Sequence, residues 1–380
     1  MLARFSLYGF LKNQRYHEPF FVLALHEQGL SYLDIGLVVG VGSISVNALE
    51  VPFGAIADVY GRRRCLVLAL VAYIAAFAIF GMALGLGWAF VAIVLYSIGE
   101  AFRGGTHKAM IFDWLRGQGR EGEASEVYGF TRSWSKRGSA VSAIIGAGIV
   151  LAAGSFSAAF WWTAIPYVAN IANLVGYPRE LDRGGAEVGA LAVVRATWRG
   201  VRSAIQLAPL RRLLAESMVF EGTLRVAATW LQPLVQLWAV GLLSAGAIGG
   251  DDFRVTVIAA GVVYFVLGIV ESMASARAGA FSRRAGGDAA AVKRLWLVHL
   301  VGSAALVVAL AFGAIATAIV LFVALNGAAR NLFRSVQLAR YDAQCPPELA
   351  ATVLSLESQA QSILLAIGAP LVGWLVDARL

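Results

Sequence analysis

The chain has 380 residues and a formal net charge of +8. Its composition is 59% hydrophobic and only 14% charged, with a mean hydropathy of +0.72. About a quarter of the residues of an ordinary soluble domain are charged, so this composition excludes that class and predicts an integral membrane protein. The basic residues lie at the ends of apolar segments, where anionic membrane lipids attract them, and we therefore exclude nucleic acid as a partner.

Apolar segments recur along the whole chain, each long enough for the ~20 residues that one membrane crossing requires. The first contains Lys12, Arg15 and Glu18 and lacks a small-residue cleavage site, so we predict that it remains as a helix and is not removed as a signal peptide. We predict an all-α integral membrane protein of about eleven helices, at residues 3–27, 32–57, 64–86, 88–114, 126–152, 156–178, 211–241, 253–277, 290–311, 314–341 and 349–376.

The loop between the second and third predicted helices carries the pattern Gly54-x-x-x-Asp58-x-x-Gly61, followed by Arg62 and Arg63. Glycines permit close helix approach and a tight turn, an aspartate can bond a helix N-terminus or an arginine, and arginines meet anionic head groups. The pattern resembles the signature loop of the major facilitator superfamily, a family of membrane transporters in which this loop is cytoplasmic and works as a latch. The resemblance implies gating roles for Gly54, Asp58, Gly61, Arg62 and Arg63.

Two further acidic residues are expected to act with this loop. Glu50 shares a stripe of the second helix with Gly54 and Asp58, and we expect it to brace that helix against the eleventh. Asp113 lies at the cytoplasmic end of the fourth helix, where we expect it to pair with the basic cluster Arg62 to Arg64.

Polar residues inside the apolar helices mark the candidate site, because a charge at bilayer depth is costly unless it is paired or hydrated. In the fourth helix Glu100, Arg103 and His107 follow the spacing i, i+3, i+7, which predicts one shared face with Glu100 and His107 as a titratable pair. In the family that the chain resembles, helices one, four, seven and ten surround a central cavity. These helices and the fifth carry the candidate substrate-binding residues Arg15, Glu18, Glu100, Arg103, His107, Arg132, Lys136, Glu221, Arg225, Asn326, Arg330 and Arg334.

Simpler structural roles compete with several of these assignments. Arg15 with Glu18, and Glu221 with Arg225, lie one helical turn apart and could simply neutralise each other. A metal site is not expected, because the chain has only four histidines and no cysteine lies near His107.

The chain divides into two halves of similar helix count. Glu271 stands twelve residues before Arg283, as Glu50 stands twelve before Arg62, which indicates an internal repeat and extends the predicted gating role to Glu271. The resemblance implies two six-helix halves with the substrate held between them. We predict an N-terminal six-helix half, a cytoplasmic linker with an interfacial amphipathic helix, and a C-terminal half of about five helices, at residues 1–178, 179–210 and 211–380.

The end of the sequence departs from the family pattern. Only Ala378, Arg379 and Leu380 follow the eleventh predicted helix, so the twelfth helix is expected to be absent. Basic residues concentrate in alternate loops, and the positive-inside rule then predicts a cytoplasmic N-terminus in the plasma membrane, the inner membrane of a bacterium.

The basic residues among the candidates outnumber the acids Glu18, Glu100 and Glu221, which favours an anionic or zwitterionic solute. The sequence thus predicts a monomeric, cofactor-free secondary active transporter that works by alternating access, driven by protonation of one of these glutamates. Three alternatives stay open: a multidrug or metabolite exporter of the same fold, a non-transporting membrane sensor or scaffold, and a membrane-embedded enzyme. The last is disfavoured, since no nucleophile has a base or metal triad at usable spacing.

Overall fold

The computed structural model describes residues 1–104, 106–120, 123–182, 206–345 and 350–378, and within these the chain is helical, without strands. Short 3₁₀ turns occur at Glu18–Phe20 and Arg179–Asp182, and a π-helical segment at Val323–Ala329. The α-helices, in chain order, are α1 Leu2–Lys12, α2 Phe21–Glu27, α3 Tyr32–Tyr60, α4 Arg62–Gly81, α5 Leu86–Arg103, α6 Thr106–Gly117, α7 Ala124–Ala153, α8 Ala158–Val175, α9 Ala208–Thr229, α10 Leu231–Ser244, α11 Asp252–Ala285, α12 Asp288–Ala311, α13 Ile315–Phe322, α14 Arg330–Gln344 and α15 Ala350–Asp377.

Length and hydropathy identify the helices that can cross a membrane. In the described part of the chain eight helices qualify, or nine if the pair α9 and α10, bent by 46°, forms one span. All eleven predicted segments are helical, and the fold is that of a multi-pass α-helical membrane protein. The first and sixth predicted crossings are not among the eight or nine, so the count of eleven crossings stays a prediction.

The chain forms two compact units. The first comprises Met1–Trp198 together with Gly373–Leu380, and the second comprises Arg199–Val372. The predicted linker at 179–210 begins with the 3₁₀ turn Arg179–Asp182. Its interfacial amphipathic helix falls on residues 183–205, outside the described residues, and stays a prediction.

Helices one, four and seven are broken where the sequence predicts continuous helices, and helix ten is distorted. The predicted helix 3–27 ends at Lys12 and resumes as α2. Polar side chains lie at this break: the Asn13 side chain donates to the carbonyl of Gly9 over 2.7 Å, and Gln14 donates to the carbonyl of Gly138 over 3.1 Å. Gln14 also donates to the carbonyl of Phe10 over 3.4 Å. The carbonyls of Gly9 and Phe10 lie in the last turn of α1 and need such partners in a membrane, so the side chains of Asn13 and Gln14 satisfy the end of the helix.

The other three interruptions lie in the predicted fourth, seventh and tenth helices. The predicted helix 88–114 divides at Gly104 into α5 and α6. The predicted helix 211–241 bends at Trp230, and the predicted helix 314–341 contains the π segment Val323–Ala329. Each interruption changes which side chains share a face, so the simple helical spacing used above does not extend across it.

In the second unit, aromatic packing holds the helices that carry the polar residues. The rings of Phe220 on α9 and Phe333 on α14 stack with their centroids 4.0 Å apart, and the edge of Trp296 on α12 meets Phe220 at 5.3 Å. Leu325 and Leu295 complete this core and are 2% exposed each. The polar side chains on α9 and α14 are therefore held on a packed framework.

In the first unit, helices α1 and α7 approach closely through glycines. A Cβ at Gly138 would lie 2.6 Å from the carbonyl oxygen of Phe10, and one at Gly146 would lie 2.7 Å from that of Tyr16. No described atom lies within 4 Å of a Cβ placed on Gly148, which belongs to the same helix. α7 can therefore pack against α1 at Gly138, and against the residues that follow α1 at Gly146, only because these positions have no side chain.

Gly138→Ala should destabilise the protein by about 1–3 kcal/mol, because the new methyl group forces a backbone contact apart. The matched variant Gly148→Ala should be neutral or slightly stabilising, since alanine favours a helix and space is open there. Thermal unfolding of the purified protein in detergent measures both. Equal stability of the two variants would contradict the close approach of α1 and α7.

Candidate functional site

A buried cluster of charges lies in the first unit, with Glu100 at its centre. The Glu100 carboxylate pairs with Lys12 Nζ at 3.6 Å, with Arg15 Nη2 at 3.5 Å, and with the guanidinium of Arg103 through a hydrogen bond. The Lys12 residue is only 4% exposed. We name these four residues the Glu100 cluster; it gathers three cations on one carboxylate.

The helix breaks position this cluster. Lys12 is the last residue of α1 and Arg103 the last of α5, so both cations lie at helix C-termini, where the partial negative charge of the helix favours them. Arg103 Nε donates to the Tyr73 hydroxyl over 3.3 Å, and the Tyr167 hydroxyl donates to the carbonyl of Lys12 over 3.0 Å. The tyrosines thus hold the ends of the two broken helices in place.

The predicted common face of Glu100, Arg103 and His107 rests on one continuous helix, whereas α5 ends at Arg103 and His107 belongs to α6. The charge of Arg103 nevertheless acts on His107. The imidazole of His107 stacks on Tyr8 with centroids 3.9 Å apart and meets the edge of Phe5 at 5.6 Å. Its predicted pairing with Glu100 is not among the contacts of the described residues. The histidine packs with aromatic rings.

A second cluster lies in the second unit around Arg334. Arg334 Nη1 lies 3.6 Å from Glu221 Oε1 and is hydrogen-bonded to Glu357, so one guanidinium serves two carboxylates. The Ser217 hydroxyl donates to Glu357 and accepts a hydrogen bond of 2.8 Å from the Gln361 amide. Glu221 and Glu357 are 2% and 0% exposed, and we name these five residues the Arg334 cluster.

Two arginines lie near the Arg334 cluster, and other unsatisfied polar groups occur on the same helices. The charges of Arg225 and Arg330 interact with that of Glu221. Within the described residues, Arg225 Nε, Glu221 Oε1 and both amide atoms of Asn326 are buried without a hydrogen-bond partner. Asn326 lies in the π segment and is 3% exposed. Buried polar atoms usually have partners, so this concentration of unsatisfied groups is typical of a binding site.

The structure does not bring every predicted substrate-binding residue into these clusters. Arg132 and Lys136 on α7 are exposed and make no ion pair within the described part of the chain. Glu18 lies in the 3₁₀ turn Glu18–Phe20, and its charge acts on Lys12 and Arg15 of the Glu100 cluster. Sequence reasoning missed Lys12 and Glu357 as site residues. The signal for both was present, since each is a charged residue inside an apolar segment, the criterion that identified Glu221.

The loop between α3 and α4 forms the predicted tight turn at Gly61. Its φ is +107°, and a Cβ there would lie 2.6 Å from Asp182 Oδ1, so only glycine fits. Asp182 also pairs with Arg63 at 3.4 Å and with Arg64 at 3.2 Å. The predicted pairing of Asp113 with this basic cluster is confirmed, through an ion pair with Arg62.

The remaining gating candidates are placed as follows. A Cβ on Gly54 would meet no described atom within 4 Å, so the close approach expected there is absent from the described residues. The Glu50 carboxylate lies 3.4 Å from the position of a Cβ on Gly104, next to the break of the fourth helix. The side chain of Asp58 lies outside the described residues, and Glu271 lies within α11. Their gating roles stay predictions.

Solved structures with a similar fold are membrane transporters. The nucleoside transporter NupG, in the form of a point mutant, superposes with a TM-score of 0.78 at 12% identity, covering 99% of this chain and 92% of that one. A bacterial homolog of the human lysosomal transporter Spinster gives 0.73 at 16% identity, covering 99% and 82%. A POT family transporter in complex with 5-aminolevulinic acid gives 0.65 at 13% identity, covering 99% and 90%. At these identities the similarity establishes the fold of a multi-pass membrane transporter.

The family is established by sequence. A family model described as Major Facilitator Superfamily matches residues 13–369, and the chain belongs to that family. No curated protein matches the sequence significantly. The family and the fold together make the chain a secondary transporter that binds a small-molecule substrate.

Glu100→Gln should destabilise the protein by about 3 kcal/mol or more, because it removes the carboxylate that Lys12, Arg15 and Arg103 share. Thermal unfolding in detergent measures this loss. The control is Glu123→Gln, which removes an exposed ion pair with Arg120 and should leave stability unchanged. A Glu100→Gln protein as stable as this control would show that the cluster is not desolvated.

Proposed function

We propose that the chain moves a small anionic or zwitterionic solute across the membrane by alternating access, coupled to protons. The observation that carries this proposal is the concentration of cations in both clusters; around Arg334 the cations outnumber the acids. The Glu100 cluster places three cations on one carboxylate, and the charges of Glu18 and Glu50 act on these cations as well. The Arg334 cluster, with Arg225 and Arg330 beside it, has three arginines and two carboxylates.

Excess positive charge is expensive in hydrocarbon, so a protein that retains it needs a use for it. A solute carboxylate or phosphate would supply the missing negative charge. Guanidinium groups suit this role because their planar fork binds two oxygens at once, and such charge-assisted hydrogen bonds are about twice as strong as neutral ones. Arg15 and Arg225, whose buried Nε atoms have no hydrogen-bond partner among the described residues, are the groups we assign to the solute.

Of the three glutamates predicted to carry the proton, Glu100 is the one we assign to the coupling step. Its Oε1 is buried without a hydrogen bond from any described residue, and it lies within ion-pair distance of Lys12 and Arg15. Protonation of this carboxylate would release Lys12, Arg15 and Arg103 to a solute anion. A proton and the solute would then bind the cluster together, which is the linkage that a symporter needs.

The cytoplasmic latch is the second part of the proposal. Gly61, Arg62, Arg63 and Asp113 form the ordered turn described above, and we assign this turn to the side of the membrane that carries the N-terminus. Basic residues cluster there, so the positive-inside rule places this side in the cytoplasm of a plasma membrane. The functional unit is a monomer, because each cluster is complete within one chain.

Arg103→Gln should lower solute uptake at least tenfold, because it removes one of the cations that protonation of Glu100 would release to the solute, and a charge-assisted hydrogen bond is worth about 1.5–3 kcal/mol. The assay is uptake into proteoliposomes of labelled carboxylate, phosphate and amino-acid solutes. The matched control is Arg254→Gln, whose side chain is 73% exposed and pairs only with Asp251 on the same turn among the described contacts. Unchanged uptake by the Arg103 variant would remove the anion assignment.

A pH gradient imposed across the same vesicles should accelerate uptake by the wild-type protein. Glu100→Gln should abolish this response, because the side chain can no longer exchange a proton, whereas Glu123→Gln should retain it. Indifference of the wild type to the gradient would rule out proton coupling. A retained response in Glu100→Gln would move the coupling step to another residue.

A further inference from the structure

A groove on the surface of the first unit combines basic and apolar residues. It has a volume of about 360 Å³ and is lined by Arg63, Arg64, Val67, Leu68 and Val175. The first four lie in the opening turns of α4 and the last ends α8. Neither buried cluster contributes to it, so the groove is separate from the candidate substrate site.

The basic end of the groove carries more positive than negative charge. Arg64 has a side chain that is 74% exposed, and it shares the carboxylate of Asp182 with Arg63. A third arginine, Arg4, lies near them without lining the groove. Arg63 Nη1 donates to the Tyr177 carbonyl over 3.0 Å, and the Tyr177 hydroxyl donates to the Arg4 carbonyl over 3.1 Å. Arg4 Nη1 lies 2.6 Å from the position of a Cβ on Gly176. Gly176 directly follows the groove residue Val175. Even with Glu180 on the adjacent turn counted as an acid, the cations Arg4, Arg63 and Arg64 outnumber the acids.

The apolar end of the groove begins one helical turn further along α4. Leu68 is 54% exposed and Val175 is 63% exposed, so this end of the groove has an apolar surface that a ligand can contact. Arg64 and Leu68 are four residues apart, and at about 1.5 Å per residue they lie roughly 6 Å apart along the helix axis. A phospholipid has the same order of groups over the same distance, with a phosphate above the start of its acyl chains.

We propose that this groove is a binding site for an anionic phospholipid. The phosphate contacts Arg4 and Arg64, and one acyl chain lies along Leu68 and Val175. Asp182 keeps its contact with Arg63, so the lipid adds to the existing ion pairs. The charge surplus favours a lipid without an amine in its head group, because a head-group ammonium would be repelled by the same arginines.

The groove borders the turn at Gly61 between α3 and α4, so a bound lipid is expected to affect the stability of that turn. Asp182 is in contact with the Gly61 position and also holds Arg63 and Arg64. A lipid phosphate on Arg64 therefore acts on the network that orders this turn. Anionic lipid is expected to stabilise the turn and with it the whole protein, by mass action on the folded state.

The test is thermal unfolding of the full chain in detergent with added lipid. Phosphatidylglycerol with palmitoyl and oleoyl chains should raise the unfolding temperature more than phosphatidylcholine with the same chains. Arg64→Gln and the double variant Arg4→Gln/Arg64→Gln should lose at least half of this difference. Arg254→Gln, an exposed arginine on α11, should keep it.

Three outcomes would overturn the proposal. An equal loss in Arg254→Gln would indicate a general effect of surface charge. An equal stabilisation by inorganic phosphate or glycerophosphoglycerol would show an anion site that does not need acyl chains. Native mass spectrometry provides a measurement that needs no variant: retention of phosphatidylglycerol over phosphatidylcholine by the wild-type protein supports the site, and equal retention contradicts it.

Discussion

The structure depends on one constraint, which is that a charge placed in hydrocarbon must be compensated by a neighbour. A charged residue at the centre of a membrane helix costs roughly 2.5–3.5 kcal/mol on insertion scales. The chain meets this cost by sharing: Glu100 compensates three cations, and Arg334 compensates two carboxylates. Because partners are shared, each charge in a cluster is only partly neutralised. A charged solute can bind to the groups that are not fully neutralised.

The two clusters stabilise their buried charges in different ways. The Glu100 cluster forms where two helices end, so its cations are also held by helix C-termini and by tyrosines. The Arg334 cluster forms between helices that continue through it, and its carboxylate Glu357 is fixed by Ser217 and Arg334. Glu357 therefore has more hydrogen-bond partners than Glu100. Protonation of Glu100 would release more cations than protonation of any other buried acid in these clusters.

Much of this architecture could be predicted from the sequence, because membrane helices follow from the length of apolar segments. The tight turn at Gly61 and the ion pair between Arg62 and Asp113 also follow from local patterns. The helix breaks could not be predicted in the same way. The apolar segments continue across both breaks, and at the first one the hydrogen bond of Gln14 to the distant Gly138 is a tertiary contact that local sequence does not reveal.

The errors in the candidate site follow from those breaks. Helical spacing placed His107 beside Glu100, but an interrupted helix turns it toward Tyr8. The sequence shows Lys12 only as a charge that interrupts the first apolar segment. Its role in the site is not visible there, because its partner Glu100 is distant in sequence and close in space. Spacing rules hold within one helix, so a site assembled from the ends of several helices is only partly visible to them.

The most direct test of the central claim, that surplus buried cations bind solute anions, is a thermal-unfolding screen of small solutes on the purified protein. A ligand that binds only the folded state stabilises it by RT ln(1 + c/Kd) at a free concentration c, so the unfolding temperature rises with the concentration and affinity of the ligand. The account predicts stabilisation by one or more anionic or zwitterionic solutes, lost in both Arg103→Gln and Arg334→Gln. Stabilisation by cationic amphipathic solutes alone, retained in both variants, would contradict it.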